Sequence, residues 1–260
     1  MTFSYALRIV VWEGATTSLI EKAKIHIEDV AWSKSLHFLL YRGLQIVSRR
    51  VWLPIVILDK IFDESFGGFG GSERYLEKYM IPTHGCFIDA GAGMGMWTFF
   101  AAKQGYIVHA FEPSPQSYQR LKRRAASYPN VYTYPYALGD SNCEAKFNLH
   151  KFSGNDSLAS KDEDFSGFQI SVKVKTIDSH NFRDVGLIKI DTEGYELPIL
   201  LGARRTIVNN KPRLVIEVHT PYKQQIEKIT ALLNGLGYCW VIKHKQWSSQ
   251  PQLIADYRRQ

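Results

Sequence analysis

The sequence predicts an α/β protein: a Rossmann-like, seven-stranded, mostly parallel sheet with helices on both faces, a helical N-terminal extension and a β-rich insertion. Three observations carry this reading. From Gly85 onward, short apolar β-branched runs alternate with stretches of helical period, as a parallel sheet requires. Between Phe87 and Glu112 the order is strand, glycine turn, helix, then a second strand ending in a carboxylate. Between Asn142 and Thr176 the helical period disappears, and Cys143 to His150 and Gln169 to Thr176 alternate like strands.

Residues 1–82 read as a helical extension or lid, and 83–260 as the catalytic domain. Leu36, Leu39, Leu40, Leu44 and Val47 recur at helical spacing, with Lys34, Arg42, Arg49 and Arg50 on the polar side. No acid interrupts residues 34–50, so peripheral contact with an anionic membrane is one reading and a flank packed on the catalytic domain another. Phe66-Gly-Gly-Phe69-Gly-Gly71 reads as a flexible join or hinge. Ser72 and Glu73 open a short helix to Met80, stopped by Pro82. Strands follow at about 86–90, 107–111, 131–136, 186–191, 213–218, 238–244 and 251–256, and helices at roughly 96–104, 115–127, 196–209 and 223–236.

Composition narrows the class. Hydrophobic residues at 45% and charged ones at 22% fit a soluble globular enzyme. The net charge of +7 permits anionic partners, but no run of like charges suggests a nucleic-acid arm. Cys86, Cys143 and Cys239 are far apart, which fits buried thiols in a reducing compartment and argues against a disulfide framework or a zinc site. No metal is expected. Neither a signal peptide nor a transmembrane segment is legible: Val51 to Leu58 is short and interrupted by Pro54. A cytoplasmic location is the expectation.

Four constellations could do chemistry. In Asp89-Ala90-Gly91-Ala-Gly93-Met-Gly95-Met96 the glycine spacing fits neither a dinucleotide fingerprint nor a Walker turn. Asp89 would repel a phosphate but suits a ligand carrying ammonium and sulfonium groups. Glu112, followed by Pro113, stands a little short of the roughly 20 residues expected for an acid that grips a ribose. S-adenosyl-L-methionine (SAM) is the ligand that fits both, and the chain reads as a methyltransferase. Tyr136-Ala137-Leu138-Gly139-Asp140 would lie beside the adenine, with Asp140 either reading the exocyclic amine or closing a turn.

The second constellation, Lys189-Ile-Asp191-Thr-Glu193-Gly194-Tyr195-Glu196, delivers acids to a strand end and a helix start. Glu196 reads there as an acid stabilised by the helix dipole. Asp191, at a strand end facing the transferred methyl, could bind and orient SAM, hold the acceptor hydroxyl or take its proton, with Glu193 a second catalytic candidate. The third, Glu217-Val-His219, places both polar residues on one face of a strand end, where His219 would serve as a general base. The fourth, Phe152 to Leu158, is either a surface turn or a polar loop closing on substrate.

Together these segments resemble the FkbM family of SAM-dependent methyltransferases. The matching stretches are Phe-Ile-Asp89 to Gly95, Ala-Phe-Glu112 to Pro115, Thr176-Ile-Asp178, Ile-Lys189 to Glu196, Leu201-Gly202-Ala203 and Ile216 to His219. Gly93 stands where the family usually has Asn. The resemblance implies a class I methyltransferase fold whose last strand is antiparallel, and methylation of a hydroxyl on a sugar, glycan or natural-product small molecule. The general-base role then falls to Asp191 and His219 jointly, with Glu193 beside them. A nucleic-acid (RNA) methyltransferase and a non-catalytic SAM-fold interaction protein are the alternative readings.

Overall fold

The computed structural model describes residues 74–149, 158, 168–219, 222–244 and 251–258, all within one compact unit, Gly70–Gln260. The expectations for residues 1–73 and for the Phe152 to Ser157 loop lie outside the described residues.

A 3-10 helix at Arg74–Tyr79 leads into β1 (Cys86–Ala90), α1 (Met96–Lys103), β2 (Val108–Phe111), α2 (Pro115–Ala125) and β3 (Val131–Tyr134). The insertion follows as β4 (Ala137–Leu138), β5 (Cys143–Leu149) and β6 (Phe168–Lys175), then a second 3-10 helix at Ile177–His180. The remaining elements are β7 (Val185–Ile190), α3 (Glu196–Leu201), α4 (Arg204–Asn210), β8 (Arg213–Glu217), α5 (Tyr222–Gly235), β9 (Tyr238–His244) and β10 (Pro251–Tyr257).

Seven strands form one sheet in the order β3-β2-β1-β7-β8-β10-β9. β1, β2, β3, β7 and β8 pair in parallel, while β10 runs antiparallel to both β8 and β9. The last strand is thus the reversed one, as expected. Every residue of β1 and β7 is buried, which explains why they read as continuous apolar runs rather than alternating ones.

Period two sends alternate side chains to opposite layers. Phe87, Leu187, Val215 and Ile254 pack against Trp97, Ala101 and Ala102 of α1 and against Leu76 and Met80. Ile88, Ile188, Ile190, Leu214 and Ile216 pack against Ile199, Leu200, Ile207, Ile229 and Leu233 from α3, α4 and α5. Helices therefore cover both faces of the sheet.

The crossover from β3 to β7 has no α-helix among its described residues. In its place β4, β5 and β6 make a second sheet, order β4-β6-β5. Aromatic rings of β2, β3 and the segment after β6 pack on one another: Phe111 stacks on Tyr134 at 4.5 Å, His180 on Phe182 at 5.0 Å, and His109 meets Phe182 at 4.4 Å. Two hydrogen bonds tie the rings together, His109 Nδ1 to the Tyr134 hydroxyl at 3.0 Å and Tyr136 hydroxyl to His180 Nε2 at 2.7 Å. Rings with a polar tip need such partners when they are packed.

Three expectations change. The single helix over 196–209 is two, because Gly202 presses on the neighbouring chain and a Cβ there would lie 1.9 Å from the Gly139 carbonyl oxygen. Asp178 reaches in from the preceding 3-10 helix to cap α4, accepting from the backbone N–H of Arg205 and Thr206 at 2.9 and 2.8 Å. The segment before Pro82 is a 3-10 helix where it is described. Of the three cysteines only Cys86 is buried, and all are free thiols. Among the described residues no helix is long and apolar enough to cross a membrane.

Two stability predictions follow from this packing. In Gly186→Ala the added Cβ would lie 1.7 Å from the His84 carbonyl oxygen, whereas at Gly105 it meets nothing within 4 Å. Urea denaturation should show a loss above about 3 kcal/mol for the first. Gly105→Ala, strained only by its positive φ, should lose about 1–2 kcal/mol. The second concerns pH. Burial, and next the neighbouring His180, push His109 down to about 4, below the roughly 6.5 of an unfolded chain. A neutral His109 therefore contributes stability above about pH 6.5 that falls away as pH drops toward 4. His109→Phe should reduce the fall in Tm across that window relative to the wild type.

Candidate active site

Chain order proceeds outward from β1 to β2 and β3 on one side, and from β7 to β8 on the other. The gap between β1 and β7 is thus the switch point of the sheet, where the strand-end loops splay apart and open a crevice. The loop after β1 carries the glycines and the loop after β7 carries Asp191 and Glu193.

The three glycines do different work. All have positive φ, 75° at Gly91, 57° at Gly93 and 89° at Gly95. A Cβ on Gly91 would lie 1.9 Å from the Asp191 carbonyl oxygen, so this glycine lets β1 and β7 approach. On Gly95 it would strike Phe99 and Leu121, so that glycine serves core packing at the start of α1. Gly93 alone faces open space, with nothing within 4 Å of a Cβ built there. Its amide donates to Glu112 Oε2 at 2.8 Å, and Glu112 Oε1 accepts from the Ser114 amide at 2.8 Å. Glu112, at the end of β2, thereby fixes the loop and stands beside its open side. Met96 and Pro113 are partly exposed at the same edge. Arg124 from α2 donates to the Met94 carbonyl at 2.9 Å and steadies the loop from outside.

Asp89 and Ala90 are wholly buried. Asp89, expected to meet a ligand's ammonium, points inward instead. Its Oδ2 accepts from Thr98 of α1 at 2.6 Å, and its Oδ1 lies 3.3 Å from Lys189 Nζ. Lys189 is the residue opposite Asp89 in the β1–β7 register. Its ammonium also donates to the Gly91 carbonyl at 3.0 Å and lies 3.4 Å from Asp191 Oδ2. Burial opposes the charge on Lys189, but Asp89, Asp191 and Glu217 more than offset it and hold its pKa above the ordinary value.

On the far side of Asp191 stands a second charged group. His219, 3% exposed, has Nδ1 at 2.9 Å from Glu196 Oε1, while Nε2 lies 3.5 Å from Glu193 and 3.8 Å from Asp191. Burial depresses its pKa, but Glu193, Glu196 and Asp191 together raise it to about 10. With carboxylates at both ring nitrogens, His219 keeps its proton at neutral pH. In that form both ring N–H groups face its acidic neighbours and hold them in orientation. Glu193 sits at φ 55°, a conformation uncommon for a residue with a Cβ and concentrated at functional turns. Gly194 donates to Glu196 at 2.8 Å, and Gln225 of α5 donates to the Gly194 carbonyl at 3.1 Å, fixing the turn. Glu217 is buried and accepts from Gln252 of β10 at 2.5 Å. One donor atom each from Asp191, Glu217 and His219 lie within 4.8 Å of one another.

The structure thus brings Gly91, Gly93, Met96, Glu112 and Pro113 to one side of the switch point and Asp191, Glu193 and His219 to the other. Ala137 and Leu138, expected beside the adenine through their backbone, form strand β4, paired with β6, and their side chains are buried in two cores. Any ligand contact there would be through backbone. Asp140 is exposed. Sequence reasoning assigned no role to Lys189 or Thr98 and took Glu196 for a helix-start acid. The available signal was period two, which puts Lys189 on the Asp89 face once β1 and β7 are known to be neighbours.

Comparison with known proteins identifies the family. The profile of the methyltransferase FkbM domain matches residues 89–239. Methyltransferase 1 of Beauveria bassiana (strain ARSEF 2860) is 22% identical over 195 residues, which cover 65% of this chain and 78% of that protein. The crystal structure of methyltransferase FkbM from Methylobacillus flagellatus KT matches with a TM-score of 0.52 at 20% identity. That match covers 66% of this chain but only 43% of the other, so this chain spans less than half the length of that relative. A putative methyltransferase from Streptococcus mutans, in complex with SAH, matches with a TM-score of 0.44 at 15% identity over 71% of this chain and 93% of that one. With more than half its length matched by the domain profile and its strand-end loops built as described, this chain belongs to the FkbM family of methyltransferases.

Proposed function

We propose that this methyltransferase uses SAM and methylates a hydroxyl of a sugar, glycan or natural-product small molecule. The observation that carries the proposal is the pairing, across the switch point, of the open Gly93 loop beside Glu112 with partly exposed carboxylates on Asp191 and Glu193.

The loop fits the cofactor on physical grounds. Space at Gly93 admits a ligand against backbone, and each Glu112 oxygen, already accepting one backbone N–H, keeps a second lone pair for vicinal ribose hydroxyls. Gly91, Met96 and Pro113 complete the same rim. Asp89 contributes indirectly, through Lys189 and Thr98, by holding the turn in place. When bound, SAM supplies a methyl group already activated by its sulfonium.

What remains for the chain is to align an acceptor and manage one proton. Asp191, 32% exposed at its side chain, is the carboxylate of the group most open to an incoming hydroxyl. Lys189 fixes its Oδ2 and His219 faces its Oδ1. A carboxylate so held accepts a hydrogen bond from an alcohol and directs the oxygen lone pair away from itself. Glu193, 21% exposed and next to His219, stands ready to take the proton.

Isothermal calorimetry tests the cofactor assignment. The wild-type chain should bind SAM and S-adenosylhomocysteine, and Glu112→Ala should weaken both at least tenfold, about 1.4 kcal/mol. Unchanged affinity in the variant, or no binding by a wild-type chain with native circular dichroism, would sink the proposal.

A further inference from the structure

We propose that Asp191, Glu217 and His219 form a divalent-cation site at the carboxyl edge of β7 and β8. The ion's role would be to hold the oxygen of the methyl acceptor; that role rests on the hydroxyl-acceptor reading above, whereas the site itself does not.

The geometry begins with His219. It is 3% exposed, and Glu196, with no exposure at all, fixes its Nδ1 at 2.9 Å. The other nitrogen is therefore aimed into the acid group, where its neighbours stand at 3.5 and 3.8 Å, longer than an ordinary N–H···O hydrogen bond. A buried imidazole with one nitrogen held by a carboxylate and the other turned toward acids is the arrangement that orients metal-bound histidines, and an ion bound at Nε2 would displace the proton that nitrogen otherwise carries into solvent. Glu196 adds a second mark: its Oε2 is buried without a hydrogen-bond partner, so the carboxylate depends on positive charge passed through the imidazole.

The three donor atoms come from two separate strand ends and lie within 4.8 Å of one another. Donors around an ion at about 2.1 Å sit roughly 3–4 Å apart, so rotamer adjustment of Asp191 closes the set. Neighbouring side chains hold the ligands in orientation. Lys189 pairs with Asp191 through Oδ2 and leaves the Oδ1 side toward His219, and Gln252 holds Glu217. One nitrogen and two carboxylates favour Mn²⁺ or Zn²⁺ over Ca²⁺, which prefers an all-oxygen shell. The partial exposure of Asp191 provides the entry path and an open coordination position. An acceptor hydroxyl bound there would become more acidic, and Glu193, which is not a ligand, would receive its proton.

The test uses the full chain stripped with a chelator and titrated with Mn²⁺, followed by electron paramagnetic resonance and calorimetry. One ion should bind per chain, and Asp191→Asn and Glu217→Gln should each weaken it at least tenfold. Both variants are to be checked for native circular dichroism, and Asp191, being partly exposed, is the one expected to fold without difficulty. No Mn²⁺ or Zn²⁺ binding by a wild-type chain that binds SAM would overturn the proposal and leave Lys189 and the histidine proton as the positive charges in the group. Undiminished binding in both variants would overturn it equally. Failure of SAM binding with Mn²⁺ binding intact would instead strike the cofactor assignment and leave the cation site standing.

Discussion

A single buried ammonium, that of Lys189, is placed so that three separate parts of the site meet on it. It touches Asp89 at the end of β1, the carbonyl of Gly91 in the turn, and Asp191 just past β7. Taking an ammonium out of water is costly, and an isolated buried lysine would give up its proton. Here the surrounding carboxylates reverse that tendency. The charge is therefore retained, and it works as a rigid tie across the one place where a parallel sheet of this order opens a crevice. Removing it would leave the fully buried Asp89 without its counter-charge, which is more damaging than never having had the group.

From that tie the division of labour follows. On the β1 side, the turn is free to present Gly93 and Glu112 because Asp89 and Thr98 anchor its base. On the β7 side, Asp191 is pinned through one oxygen while the other faces His219. Glu196 and His219 form a second buried pair, with His219 facing Glu193 and Asp191. The glycine that approaches Asp191, Gly91, completes the link: any Cβ there would force the two strand ends apart. The two sides of the switch point are in this way parts of one electrostatic unit, although Lys189 and Gly91 stand 98 residues apart in the chain.

Much of this was legible from the sequence, for identifiable reasons. β1 and β7 read clearly as strands because both faces are buried, leaving continuous apolar runs. The glycine turn and Glu112 were legible because their spacing is fixed by a local strand-turn-helix-strand unit. What was not legible depended on distant partners. Asp89 looks like a ligand contact until Lys189 is known to lie opposite it. Glu196 looks like an exposed helix-start acid until β8 delivers His219 to it. The same contact favours the protonated form of His219. Strand β4, two residues long, has no periodicity to read and exists because β6 pairs with it. The break at Gly202 likewise comes from the close approach of Gly139, which no helical pattern records.

The most direct test of this account is equilibrium urea unfolding of Lys189→Met beside the triple variant Asp89→Asn, Lys189→Met, Asp191→Asn. If the ammonium is the tie described, the single substitution should lower stability by about 3–5 kcal/mol, and neutralising both acids should recover most of that loss. Equal loss in the two variants would contradict the account, because it would mean that Lys189 supports the site by bulk and not by charge.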